Sequence, residues 1–289
     1  MGFKRSINNS ATTVSYLLDT FFDISYSEPN NSPIDNYFEK TDSLNKLITY
    51  YDTVVVSNPP ISTFPSKTLY NLILLGYMSV VESYFRELIR KLVLIDEHSA
   101  KHCEKHSLKY GAAVIHSKEI LPEALLEGYS FANQTRIAEA LKEFLDIKNI
   151  YNDSQLKQVA QKFNDICQLR HILIHRYGKL GIDNYINLRD HSLNNCIEKP
   201  IDLNSTKLFN ISVVCNNLVL IFNQFISDEI LGRTAIRANC KWTWDFRSDR
   251  KEFSKYYKIF ECNSNPPLAG KPDMFTLYND LRIYGRTLR

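Results

Sequence analysis

The sequence is poor in the residues that mark fibrous and disordered proteins. Its 289 residues include only 9 Gly and 10 Pro, with 44% hydrophobic and 23% charged residues. This composition is typical of a folded globular protein and excludes collagen-like and intrinsically disordered chains. A chain of this length can form one large domain, or one domain with an appendage, around a sizeable core.

Paired cysteines and long apolar runs are also missing. The sequence has no Cys-x-x-Cys pair, and its six cysteines are scattered at Cys103, Cys167, Cys196, Cys215, Cys240 and Cys262. A chain of this size does not depend on disulfides, so we expect reduced, mostly buried thiols. No apolar run reaches the roughly 20 residues that cross a bilayer, and no signal-peptide core follows the first residues. These features predict a cytoplasmic protein with no membrane contact.

The small net charge of +3 hides an uneven distribution. From Arg233 to the end, 12 Lys and Arg face 6 Asp and Glu, which gives +6 for this stretch and −3 for the rest. A basic tail can mark a surface for nucleic acid or for an acidic partner, although an ordinary solvated face has the same composition.

Apolar residues recur mainly with the helical period, which predicts an all-α protein. Cap residues and breaks place helices at about 41–56 (behind Thr41 or Asp42), 66–102, 118–127, 133–146, 153–177 and 204–231, with Asn30–Pro33 as loop. We therefore expect a bundle of four to five long helices. The organisation that follows is an N-terminal arm (1–40), a helical core (41–235) and a basic, aromatic C-terminal extension (236–289).

The second of these helices is apolar nearly all round. Between Lys67 and Arg86, Glu82 is the only formally charged residue. A helix of this kind is buried, so the carboxylate of Glu82 needs a partner.

Aromatic and basic residues alternate in the C-terminal extension. The rings are Trp242, Trp244, Phe246, Phe253, Tyr256, Tyr257 and Phe260, and the cations are Arg247, Arg250, Lys251, Lys255 and Lys258. This mixture suits single-stranded nucleic acid, where bases stack on rings and phosphates pair with cations. The alternative, that the rings pack the extension onto the bundle, is the commoner role of aromatic residues.

The segment Arg170-His171-Ile172-Leu173-Ile174-His175 ends the helix predicted at 153–177. On a helical wheel Arg170 falls inside the apolar arc, and a guanidinium there must meet a carboxylate, such as Glu82, or line a cleft or an interface. His171 and His175 are one turn apart and share a face at the edge of that arc. The sequence therefore predicts that Arg170 and at least one imidazole reach the same small volume.

An imidazole and a fixed guanidinium suit phosphodiester chemistry without a metal. The imidazole moves a proton near neutral pH and the guanidinium stabilises charge growing on phosphate. Because RNA supplies its own 2′-hydroxyl nucleophile, internal transesterification is the expected reaction. Two alternatives stay open: a zinc grip by His171 and His175, which lacks the glutamate of His-Glu-x-x-His and has arginines beside it, and a purely structural pair.

The same segment resembles the Arg-polar-x-x-x-His signature of HEPN domains, with Arg170, His171 as the polar residue, and His175. The helix that carries Glu82 is similar to the earlier core helix of that family, and the resemblance covers about 41–231. It implies a HEPN-like bundle with Arg170 and His175 as the catalytic pair, His171 as an accessory group and Glu82 orienting Arg170. It also implies a homodimer whose two motifs share a composite cleft.

Within that family the chain resembles the larger nucleases of bacterial phage-defence and toxin–antitoxin loci. We therefore expect a metal-independent endoribonuclease that acts on RNA, uses no cofactor, and has an antitoxin or another defence component as a partner. The alternative is a non-catalytic HEPN-like module that binds nucleic acid or protein, because inactive members of the family exist.

Overall fold

The computed structural model of the chain describes residues 14–55, 66–236, 240–267 and 270–287. Within these ranges every regular element is helical, and the other backbone pairing is an isolated antiparallel bridge between Lys179 and Pro200. The all-α class predicted from the sequence is confirmed.

The helices follow one another along the chain with short connections. They are α1 (Pro33–Tyr50), α2 (Ser66–Ile95), α3 (Glu97–Cys103), α4 (Tyr110–Ile115), α5 (Glu123–Leu126), α6 (Gln134–Leu145), α7 (Ser154–Arg176), α8 (Ile182–Leu188), α9 (Ser205–Ala235), α10 (Phe246–Phe260) and α11 (Met274–Thr287). Single 3-10 turns lie at Leu18–Phe21, Ile150–Asn152 and His191–Cys196, and a π turn at Tyr51–Val55 follows α1.

The core lies around two central helices, α2 with 30 residues and α9 with 31. Helix α2 packs against α1, α9, α3 and α6, and α7 packs on α9. The predicted helix 66–102 is interrupted at Asp96, whose backbone is extended (φ −94°, ψ 109°) and whose side chain accepts a hydrogen bond from the backbone N–H of Ser99, 2.8 Å away. An aspartate that caps the next helix breaks a long helix without proline.

The first helix begins eight residues before its predicted start. Ser32 caps it by accepting a hydrogen bond from the backbone N–H of Asp35, and Pro33 occupies the first turn. Proline is well suited to that position, because the first backbone N–H groups of a helix have no intrahelical partner. Ser32 and Pro33 were expected to be loop residues, so the predicted start at Thr41 or Asp42 was wrong.

The described residues before Asn31 belong to a separate unit, and residues 31–289 form one compact unit. Residues 14–30 contain the turn Leu18–Phe21 and expose their large apolar side chains, among them Phe22 and Ile24. The division between the two units falls after Asn30, whereas the predicted N-terminal arm ends at residue 40.

The C-terminal extension packs onto the helical core, which the predicted boundary at residue 236 had separated from it. Helices α10 and α11 contact α9, and α10 also contacts α2 and α1. The rings of Trp242, Phe253, Tyr256 and Tyr278 are buried and meet edge to face around the indole. Of the two roles open for these aromatic residues, packing onto the bundle is the one that most of them fill.

Helix α9 is long and apolar enough, by length and composition, to cross a membrane, and it is the one such helix among the described residues. In the bundle, 44% of its most apolar stretch is buried, and α7, α2, α11 and α1 surround it. The core helix of a globular protein meets the same criterion of length and composition.

Half of the six thiols are buried. Cys103, Cys167 and Cys215 lie in the core, whereas Cys196 and Cys240 are exposed and Cys262 is partly exposed. The expectation of mostly buried thiols therefore holds for three of them. Loss of solvent raises the pKa of Cys215 to about 12, so this buried thiol is neutral and unreactive.

Candidate functional site

Helix α7 positions the segment that the sequence singles out. Asp153 caps its start by accepting hydrogen bonds from the backbone N–H groups of Gln155 and Leu156, at 2.8 and 2.9 Å. Its end is fixed by Tyr177, which adopts a left-handed conformation (φ 50°) and donates its backbone N–H to Ile172. The predicted bounds, 153 and 177, are confirmed within one residue, and the motif occupies the last two turns.

The two histidines of the motif lie in contact on one face of α7. The ring centroids of His171 and His175 are 4.4 Å apart and the rings are tilted by 45°. Both residues are exposed to solvent. The pKa of His171 is lowered from its ordinary value, first by partial loss of solvent and then by the nearby His175 and Arg170. His171 is therefore a neutral imidazole at pH 7, able to accept a proton.

Arg170 is half-buried and, in the part of the chain that the structure describes, has neither a hydrogen bond nor a salt bridge. Its charge acts on His171 and also on Cys167, one turn earlier. Helix geometry places Arg170 about 140° around the axis from His175. The structure thus brings the two imidazoles together, and the charge of Arg170 acts on His171, whereas the backbone positions of Arg170 and His175 lie on different faces of the helix.

The expected role of Glu82 is wrong. Its carboxylate accepts from the guanidinium of Arg86, one turn later on α2, at 3.4 Å. Arg86 is further held by Glu123 and by the backbone carbonyls of Leu126 and Tyr129. The expectation that Glu82 needs a partner holds. However, the partner is the neighbour four residues away, as is common on a helix, and Glu82 does not orient Arg170.

A second arginine, Arg176, follows the motif, and its pairing was not predicted from the sequence. Its guanidinium donates two hydrogen bonds to the carboxylate of Glu198, at 2.8 and 2.9 Å. It also lies over Gly181, where a Cβ atom would collide with the guanidinium. Both bonds come from the Nη2 atom, and this exposed pair links the end of α7 to the segment before Pro200.

A polar cleft opens beside α7 and was also missed. Its volume is about 290 Å³, and six carboxamide side chains line it: Asn133, Gln134, Gln161, Asn164, Gln168 and Asn187. Thr135 and Arg189 complete the lining. The signal in the sequence is a stripe of polar residues on α7 at positions 161, 164, 168, 171 and 175, whose spacing of three and four residues puts them on one helix face. The cleft and the two histidines therefore share that face.

The cations of the C-terminal extension lie on the outer face of α10. Arg247, Arg250, Lys251 and Lys258 are exposed, and together with Tyr257 they line a groove of about 580 Å³. Within the described ranges none of these four cations forms a salt bridge. In contrast, Lys255, one turn after Lys251 and not among the residues that line the groove, pairs with Glu252 at 2.5 Å.

No group of three or more His, Cys, Asp or Glu residues is placed to hold a metal ion among the described residues. Comparison of the chain with known protein families, with curated proteins and with solved structures gives no match. The HEPN resemblance therefore depends on the residues of the motif alone and stays a prediction.

Proposed function

We propose that the protein is a metal-independent endoribonuclease of the HEPN type. The observation that carries this proposal is the contact between the His171 and His175 rings beside Arg170, a half-buried guanidinium that binds nothing else in the described chain. Two imidazoles can divide the two proton transfers of RNA cleavage between them. A free guanidinium can stabilise the additional negative charge on the phosphate.

In the proposed reaction His171 is the base, because its lowered pKa keeps it neutral. It removes the proton of the RNA 2′-hydroxyl, and the 2′-oxygen attacks the adjacent phosphorus atom. The bond between phosphorus and the 5′-oxygen breaks, and His175 donates a proton to that leaving oxygen. The products are a 2′,3′-cyclic phosphate and a 5′-hydroxyl, and no water or metal enters this step.

A homodimer would complete this site. Because Arg170 and His175 diverge on a single helix, a phosphate that touches both is most easily enclosed between two copies of α7 related by a twofold axis. Exposed apolar side chains at the end of α7 and on α8 supply a surface for such contact, namely Ile174, Tyr177, Ile182 and Ile186. We place the active dimer in the cytoplasm, as a toxin or a phage-defence effector with an antitoxin or another defence component as partner.

Cleavage of RNA in excess EDTA tests the reaction. We expect the purified protein to yield 2′,3′-cyclic phosphate ends and the His175→Ala variant to be about 10² to 10⁴-fold slower. The matched control is His191→Ala, an exposed histidine outside α7 that should cleave at the wild-type rate. Cleavage that requires added metal, or that survives His175→Ala unchanged, contradicts the mechanism.

Mixing two inactive variants tests the composite cleft. If Arg170 of one protomer works with His175 of its partner, a mixed dimer of Arg170→Ala and His175→Ala chains contains one intact site. Part of the activity should then return on mixing, and the molar mass in solution should be that of two chains. Absence of any recovery from a confirmed mixed dimer would mean that both groups act within one chain.

The alternative is a non-catalytic module that binds nucleic acid, and the unpaired cations on α10 favour it. Like charges at positions 247 and 251 oppose helix formation by a few tenths of a kcal/mol, and a polyanion in the groove removes that repulsion. We expect Lys251→Glu to weaken binding of single-stranded RNA more than the matched change Lys255→Glu. If both variants bind like wild type, this groove is not a nucleic-acid site.

A further inference from the structure

The polar cleft beside α7 has an unusual lining. Six of its eight lining residues carry carboxamides, and none carries a carboxylate. Each carboxamide offers both a hydrogen-bond donor and an acceptor, whereas apolar ligands gain nothing from such walls. The single cation, Arg189, forms no salt bridge within the described ranges, so one charge at the rim is available for one anionic group.

Some of these carboxamide side chains form hydrogen bonds to other protein groups, and others form none within the described ranges. Gln168 accepts a hydrogen bond at 3.0 Å from Asn184, which is buried, and this leaves the amide N–H group of Gln168 for a ligand. The amide of Gln161 donates a hydrogen bond to the carboxylate of Asp165 on the same helix. In the described part of the chain the side chains of Asn164 and Asn187 make no hydrogen bond to protein. The cleft therefore combines two amides that are hydrogen-bonded to the protein, Gln161 and Gln168, with donors and acceptors that are free to bind a ligand.

The position of the cleft matters as much as its chemistry. Asn164 and His171 lie on the same face of α7, seven residues apart, which corresponds to about 10 Å along the helix axis. A strand whose scissile phosphate lies at the two histidines can therefore extend along this face into the cleft. A volume of about 290 Å³ suits a single nucleoside and not a larger body.

We propose that this cleft is a base-recognition site, which holds the nucleobase of a nucleotide neighbouring the cleaved one in single-stranded RNA. Carboxamides read adenine by pairing with both its N6 and its N7 atoms, so a purine, and adenine first, is the expected base. Arg189 pairs with the phosphate of the same nucleotide. The path of the RNA strand along α7 rests on the proposed ribonuclease function, whereas binding of a base in the cleft does not.

Binding is measured apart from cleavage by using the His175→Ala protein and fluorescently labelled RNA octamers. An oligoadenylate is expected to bind at least about tenfold more tightly than an oligouridylate, and Asn164→Leu to abolish that preference. The control is Gln155→Leu on the opposite face of α7, where the residue is exposed and remote from the cleft. Equal affinity for both octamers, or a preference that survives Asn164→Leu, overturns the proposal.

Two further outcomes separate the cleft from the catalytic proposal. If wild-type protein cleaves no RNA but binds adenine-rich RNA through Asn164, the cleft stands and the ribonuclease mechanism falls. If RNA is cleaved with no base preference and Asn164→Leu changes nothing, the mechanism stands and the cleft proposal falls. Adenosine monophosphate that binds as tightly as the octamer would show a site for free nucleotides, which contradicts the placement on RNA.

Discussion

Two regions of this protein contain a half-buried arginine, and the two arginines differ in their hydrogen-bond partners. At the end of α9, Arg233 donates to the carboxylate of Asp96, to the hydroxyl of Ser99 and to the carbonyl of Leu145. At the end of α7, Arg170 has no partner in the described chain. A guanidinium keeps its charge, so one without partners inside the protein must be reached by solvent or by a ligand, and no nitrogen of Arg170 is among the buried unpaired atoms of the described residues.

Of the substitutions that test this comparison, removal of Arg233 is expected to change stability the most. Asp96 is 2% exposed, and Arg233→Met leaves its carboxylate buried without a counter-charge. We expect the free energy of unfolding to fall by about 3 to 5 kcal/mol, measured by urea denaturation. A loss below about 1 kcal/mol would mean that water replaces the guanidinium. Arg233 would then not differ from Arg170 in its contribution to stability.

The substitution Arg86→Met is expected to have the next largest effect on stability. The guanidinium holds the carbonyls of Leu126 and Tyr129, and it pairs with Glu82 and Glu123. Its side chain is 22% exposed, so solvent offsets part of the loss. We expect a decrease of about 1 to 3 kcal/mol in the free energy of unfolding. If RNA cleavage remains normal in the variant that stays folded, Glu82 and Arg86 have a purely structural role.

Arg170→Met is expected to leave stability within about 0.5 kcal/mol of wild type, because no internal contact is lost. RNA cleavage, measured on the same preparation, should nevertheless fall sharply. This pair of results is the reverse of that expected for Arg233. A destabilisation above about 2 kcal/mol with cleavage preserved would identify Arg170 as a structural residue.

The smallest expected effect is on the titration of His171. Its pKa is lowered, in part by the charge of Arg170. Because the unfolded chain then binds the proton more readily than the folded one, His171 makes stability decrease as pH falls from about 6.5 towards its folded pKa. In Arg170→Met the pKa should rise back towards the ordinary value, as followed by NMR of the imidazole. An unchanged pKa would mean that the guanidinium lies away from His171.

Local features of this fold could be predicted from the sequence, whereas long-range ones could not. The helix starts predicted at residues 133, 153 and 204 lie at the observed caps Asn133, Asp153 and Asn204, because each cap bonds to residues two or three positions along the chain. The motif helix followed for the same reason. The partner of Glu82 was misidentified, since Arg86 appeared in the sequence only as the end of an apolar stretch and not as the centre of a cluster.

The same division applies to the candidate site. The proximity of His171 and His175 follows from their spacing of four residues, and it was predicted. The polar cleft needs α6, α7 and α8 to meet, and the side chains of Asn133 and Asn187 come together only in three dimensions. The feature of the sequence that indicates the cleft is the polar stripe on α7. An ordinary solvated helix face has the same pattern, so the stripe alone does not predict a cleft.

The start of α1 has a consequence for how the chain matures. Asp35, in the first turn of that helix, is buried and accepts hydrogen bonds from the backbone N–H groups of Asn263 and Ser264, both at 2.8 Å. During translation this carboxylate stays unpaired until more than two hundred further residues have left the ribosome. Contacts so distant in sequence slow folding, and a chain that stops before residue 263 lacks both backbone partners of this carboxylate.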